Sequence, residues 1–84
     1  MSKIIIYSKT VCPYCVRAKM LLQRKGQIFT EIMVDDEKIK EEMMKKSGGR
    51  MTVPQIFINE KHIGGCDELY ALEAAGKLDE LLDS

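Results

Sequence analysis

The chain has 84 residues, with 13 acidic and 13 basic side chains and a formal net charge of zero at pH 7. That length fits residues 1–84 as a single small domain burying roughly 60–65% of its unfolded surface, and the neutral balance argues against nucleic acid as a partner. At 45% hydrophobic and 31% charged the composition is ordinary for a soluble globular protein, and no apolar run approaches the ~20 residues of a membrane-spanning helix.

Residues 3–8, KIIIYS, form a short, nearly continuous, β-branched apolar run that predicts a buried strand. Residues 13–25 predict a helix, with Pro13 suited to its first position and Gly26 to the position past its end. In QIFTEIMV, residues 27–34, apolar side chains at Ile28, Ile32 and Val34 predict a second strand. Residues 36–47 predict a second helix, capped by Asp35 or Asp36, ended by Gly48, and facing inward at Ile39 and Met43. VPQIFI at 53–58 and KHIG at 61–64 predict two more strands joined by a hairpin at Asn59–Glu60. Residues 67–75 predict a third helix with Asp67 as its cap and Leu69, Leu72 and Ala75 inward; Gly76 breaks it, and KLDELL adds a further turn or two. The order is βαβαββα, an α/β fold. Its first βαβ unit calls for parallel strands and its hairpin for antiparallel ones, giving a four-stranded mixed sheet flanked by helices.

Three cysteines are too few, and odd in number, for a secreted disulfide framework. The N-terminal MSKIIIYS also lacks a signal peptide's apolar stretch and cleavage site. The expected compartment is the cytoplasm, where thiols stay reduced. Residues 1–30 carry six basic side chains and no acidic one, whereas residues 66–84 carry six acidic side chains against one lysine. Arg24 and Lys25 read as solvated side chains on a helix face, but Cys12 and Cys15 fall within the basic third, where positive potential stabilises a thiolate and attracts anions.

TVCPYC, residues 10–15, places Cys12 where the first helix begins. With Cys12 as N-cap, the amides of Tyr14 and Cys15 are free donors aimed at its sulfur, Pro13 holds the turn, and the helix end and Lys9 add positive charge. Cys12 is the candidate nucleophile. Cys15 shares a helical stripe with Ala18 and Leu22 and reads as the more buried, resolving cysteine. Neighbours three apart have Cβ atoms ~5–6 Å apart, while a disulfide wants ~3.5–4.5 Å, so a bond between them should be readily reduced, as catalytic disulfides are.

CPYC after a first strand, TVPQIFI at 52–58 and GGCDEL at 64–69, in this order and over essentially the whole chain, closely resemble a glutaredoxin of the small bacterial dithiol type. The resemblance implies a thioredoxin fold and reduction of protein disulfides and glutathione mixed disulfides, with glutathione as co-substrate. No metal is expected: a glutathione-bridged iron–sulfur dimer is a variant of that family associated with other active-site sequences, and Pro13 argues against it. It implies that Pro54 is cis and faces the active cysteines. It implies that Val53 pairs its backbone with the glutathione cysteine, flanked by Thr52, and that Gly65 lets the ligand approach closely. The amides of Cys66 and Asp67 would take the γ-glutamyl carboxylate at a helix N-terminus, the Asp67 carboxylate the ammonium, and Tyr14 would cover one side. Lys9 and Lys40 are candidates for the glycine carboxylate. GGRMTVP at 48–54 carries one residue more than related sequences, and Arg50 is assigned no role. The Cys66 side chain reads as a small free thiol in preference to a redox-sensitive accessory. The expected partners are glutathione and disulfide-containing or glutathionylated proteins, met by a monomer.

Two other readings fit some residues. Cys12, Cys15, His62 and Cys66 form a legitimate zinc set, although the first pair opens a helix and does not form a knuckle. A thioredoxin-like donor reduced by a flavoprotein would share the cysteine pair. It would not need the groove residues around Val53 and Asp67, and the chain has no tryptophan before the motif.

Overall fold

In the computed structural model, which describes residues 2–83, the N-terminal apolar run becomes β1 (Ile4–Ser8), an inner strand of a four-stranded sheet. Then follow α1 (Pro13–Arg24), β2 (Thr30–Met33), α2 (Glu37–Lys46), β3 (Gln55–Ile58), β4 (Lys61–Gly64), α3 (Cys66–Ala74) and α4 (Leu78–Leu82). The strands lie in the order β2-β1-β3-β4. β1 and β2 are parallel, with Tyr7 opposite Ile32; β1 and β3 are antiparallel, with Ile6 opposite Ile56.

β1 is apolar on both sides because both faces of the sheet are covered. Ile4 and Ile6, with Ile56 and Ile58 of β3, meet Ala18, Leu21 and Leu22 of α1, Leu69 of α3, and Leu78 and Leu82 of α4. On the opposite face Tyr7 and Phe57 pack with Val34 and with Met43 of α2, their rings edge to face at 5.8 Å. The β3–β4 hairpin turns through Asn59 and Glu60, both at positive φ (52° and 70°), which is the backbone twist that two-residue hairpins need. Asn59 Oδ1 accepts from the Lys3 amide at 2.8 Å and ties the turn to the start of β1. Asp36 caps α2, accepting from the Ile39 amide at 2.9 Å.

Three expectations need correction. Ile28 is 80% exposed and precedes β2; Phe29 packs on the larger core in its place, because the chain leaves α1 through a loop and enters the sheet only at Thr30. Ala75 is the exposed C-cap of α3 and not part of its inner face. Lys25 is not a solvated lysine: it bridges Glu73 and Asp79 at 2.7 and 3.0 Å, tying the end of α1 to α3 and α4.

Leu22 is fully buried and Ile28 is not. Leu22→Ala is expected to cost about 2–5 kcal/mol of unfolding free energy, and Ile28→Ala less than about 0.5 kcal/mol. Urea denaturation of both variants measures the contrast.

Candidate functional site

Strand pairing brings three separate segments to one end of the sheet. Tyr7, near the end of β1, lies opposite Gln55 at the start of β3, and Gly64, the end of β4, lies opposite Ile56. The loop after β1, the loop before β3 and the start of α3 therefore meet.

The first segment carries the cysteine pair. Cys12 is the N-cap of α1, with extended backbone (φ −152°, ψ 100°), and Pro13 opens the helix. The Cys15 amide donates to Cys12 Sγ at 3.2 Å, so a free N–H of the first turn points at sulfur. Cys12 is half-buried and its Sγ lies 3.8 Å from the Val53 carbonyl. Cys15 is 1% exposed. Burial, reinforced by the hydrogen bond and charge of Cys12, pushes its thiol up to about 12 against opposition from the Lys9 amide and the Lys19 charge. None of the three cysteines is in a disulfide. One is accessible and the next is shielded and protonated, which is the division of labour a nucleophile and a resolving thiol require.

Beside them lies a groove of about 260 Å³. Tyr14, half exposed, contributes from α1; Arg50 and the Thr52–Val53–Pro54 segment contribute from the loop before β3. The Val53–Pro54 peptide bond is cis. The remaining lining is Gly65, Cys66, Asp67 and Glu68 at the start of α3.

Here the cap differs from expectation. Gly65, not Asp67, is the N-cap of α3; the Gly65 amide donates to Glu68 Oε1 at 2.7 Å, and the Arg50 guanidinium donates to the same oxygen at 3.2 Å. The Gly65 amide and Arg50 hold the Glu68 carboxyl below its ordinary range. Asp67 sits one position inside the helix, exposed, and its carboxylate makes no hydrogen bond or ion pair among the described residues. Gly64 and Gly65 permit this arrangement. Gly64 has φ +120° and a Cβ there would lie 2.5 Å from Glu68 Oε1, while a Cβ on Gly65 would lie 3.3 Å from the Pro54 carbonyl. The Cys66 side chain is turned into the larger core, and burial pushes its thiol up.

Lys9 and Lys40 lie outside the groove lining. Arg50 and Glu68 are inside it; the sequence reading assigned Arg50 no role and did not single out Glu68. Glu68 has a legible signal, since it stands three residues after Gly65 at the spacing of a capping box; Arg50 has none, because the loop that carries it has no periodic pattern. The zinc set does not assemble: His62 Nε2 is 2.7 Å from Gln55 Oε1, and no three His, Cys, Asp or Glu side chains converge as a metal site among the described residues.

A family model described as Glutaredoxin matches residues 4–63. The chain is 57% identical over 82 residues to Glutaredoxin 3 of Escherichia coli strain K12, covering 98% of this chain and 99% of that one. It resembles the solution structure of glutaredoxin from Brucella melitensis, with TM-score 0.83 and 56% identity over 95% of this chain and 87% of that one. It also resembles the crystal structure of a buckwheat glutaredoxin–glutathione complex, with TM-score 0.88 and 36% identity over 98% and 77% of the respective chains.

The shielding of Cys15 and Cys66 predicts that iodoacetamide at pH 8 adds one group to the native protein, at Cys12, and three after unfolding; intact-mass and peptide analysis read this. Cys15 also links stability to pH. Its folded value of about 12 stands above the ordinary 9.0, so the folded state holds the proton more tightly. That contribution is complete below pH 9.0 and is lost as pH rises toward about 12. The melting temperature is expected to fall over this range, less steeply in Cys15→Ser.

Proposed function

The chain belongs to the glutaredoxin family of glutathione-dependent thiol–disulfide oxidoreductases, and from that premise we propose that Cys12 is its nucleophile and Cys15 its resolving thiol. The observation that carries this assignment is the 3.2 Å donation from the Cys15 amide to Cys12 Sγ at the mouth of α1.

In the dithiol route the Cys12 thiolate attacks one sulfur of a protein disulfide. A Cys12 mixed disulfide forms and the other protein sulfur leaves as a thiolate that takes up a proton. Cys15 gives up its proton and attacks the Cys12 sulfur, releasing the second protein thiol. Two electrons have passed to the substrate and a Cys12–Cys15 disulfide remains. Two glutathione molecules reduce it and leave as glutathione disulfide. Burial is the main influence that keeps Cys15 protonated, with the hydrogen bond and the charge of Cys12 adding to it. The two contributions of Cys12 end once its sulfur is tied into a neutral mixed disulfide, so Cys15 loses its proton more easily at the step that needs it. In the monothiol route Cys12 takes the glutathionyl group from a substrate, and a second glutathione frees it; Cys15 is not used.

The groove serves as the glutathione site. The Val53 backbone beside Cys12 Sγ pairs with the tripeptide's cysteine, flanked by Thr52 and Pro54. Gly65 lets the chain approach, and the amides of Cys66 and Asp67 take the γ-glutamyl carboxylate. The Asp67 carboxylate, uncommitted among the described residues, takes the ammonium, and Tyr14 covers one side. Lys9 and Lys40 serve the glycine carboxylate from outside the lining. Arg50 joins them, since its pair with Glu68 is about 44% exposed on each side and such pairs exchange partners at a cost below about 1 kcal/mol. The partners are glutathione and disulfide-bonded or glutathionylated proteins of the cytoplasm. In this reading the chain acts as a monomer, and no helix among the described residues is long and apolar enough to cross a membrane.

Cys15→Ser is expected to keep removal of glutathione from mixed disulfides and to lose most reduction of protein disulfides, whereas Cys12→Ser loses both. A folded Cys15→Ser protein inactive in both assays would overturn the division of roles.

Asp67→Ala is expected to raise KM for a glutathionylated peptide by roughly tenfold, the scale of one charge-assisted hydrogen bond, while leaving the rate of Cys12 alkylation by iodoacetamide unchanged. Equal losses in both assays would mean that Asp67 acts only through the helix.

A further inference from the structure

We infer that His62 and Gln55 are positioning residues for glutathione, forming a hydrogen-bond relay from β4 across β3 that holds Thr52 and thereby sets the backbone Val53 offers to the tripeptide. The inference rests on the groove reading above.

Gln55 is fully buried on the face of the sheet that also holds Tyr7 and Phe57. An apolar side chain would satisfy packing there, and a buried amide is costly unless its groups are bonded. Its Nε2 lies 3.0 Å from the Thr52 carbonyl and 3.3 Å from Thr52 Oγ1. A carbonyl only accepts, so this atom is the NH₂ group and the amide orientation follows. The amide oxygen then faces His62 Nε2 at 2.7 Å, and the hydrogen between them belongs to His62.

The imidazole is itself held. It is half-buried, directly opposite Phe57 in the hairpin register, with ring centroids 5.0 Å apart. Burial, and secondarily the charge of Arg50, lower its pKa. A neutral ring with hydrogen on Nε2 satisfies the relay.

The far end of the relay gives it a function beyond packing. Thr52 is exposed and lies outside any strand, yet a single buried amide binds both its carbonyl and its hydroxyl. The next carbonyl, that of Val53, is the one 3.8 Å from Cys12 Sγ. Fixing Thr52 fixes where the Val53 backbone stands relative to the nucleophile.

The test uses the full chain with His62→Phe, which keeps a ring against Phe57 but removes the donor, and His62→Gln, which restores an N–H. Gln55→Met serves as a second break in the relay. The probes are S-methylglutathione for binding and a glutathionylated peptide for turnover. His62→Phe is expected to weaken S-methylglutathione binding and raise KM by about 3–10-fold, the worth of one net hydrogen bond, with kcat and iodoacetamide reactivity at Cys12 near wild type and the melting temperature lowered by the unpaired Gln55 amide oxygen. His62→Gln recovers most of the loss. Wild-type binding by folded His62→Phe overturns the relay, as does a parallel fall in kcat and binding, which marks a structural role. Asp67→Ala separates the two readings: if it weakens binding while His62→Phe does not, the groove stands and the relay falls; if neither weakens binding, the groove reading itself fails.

Discussion

One hydrogen bond organises the chemistry: the amide of Cys15 pointing at the sulfur of Cys12, 3.2 Å away at the opening of α1. A helix that starts on Pro13 leaves its first-turn amides without intrahelical partners, and here a sulfur atom occupies the place a serine or aspartate oxygen takes in other caps. The same turn that exposes Cys12 places Cys15 on the inner stripe with Ala18 and Leu22. Accessibility of one thiol and protection of the other are therefore two results of a single local geometry.

What surrounds the sulfur depends on the sheet. β1 and β3 run antiparallel, so the end of one strand and the beginning of the other share an edge. This lays the Thr52–Pro54 segment against the cysteine loop, and the hairpin returns the start of α3 to the same edge. Arg50, in the loop before β3, and Glu68 of α3, 18 residues apart in the chain, then pair in the groove lining. Within α3 the carboxylates divide their tasks: Glu68 turns back to cap the helix, which leaves Asp67 uncommitted and outward-facing. A helix capped by its own Asp67 would have tied that carboxylate to the backbone.

The two faces of the sheet differ in kind. The face covered by α1, α3 and α4 is aliphatic, with Cys66 among its side chains. The face toward α2 has fewer fully buried residues and admits Tyr7, Phe57 and the buried Gln55. The polar network on that second face joins the outer strand β4 to the loop before β3, so packing and site geometry are coupled through hydrogen bonds as well as through apolar contact.

The strand, helix and turn order was legible from residues 3–8, 13–25 and 53–64 because local signals agreed there. A β-branched run marks a buried strand, proline a helix start, and Asn59–Glu60 between short apolar runs a hairpin. The cysteine site was legible for the same reason: its capping geometry is complete within four consecutive residues, Cys12 to Cys15. Ile28 misled because alternation does not reveal at which residue a loop joins the sheet. The α3 cap misled because Asp67 and Gly65 are both acceptable caps locally, and the choice was made by Glu68 reaching the Gly65 amide. Arg50, and the link from His62 through Gln55 to Thr52, carry no local pattern at all. They exist only because strand register sets His62 against Phe57 and brings the loop before β3 beside α3. Local sequence determined the elements and the cysteine pair at the mouth of α1; tertiary pairing decided the groove, because its members are neighbours only after the sheet has formed.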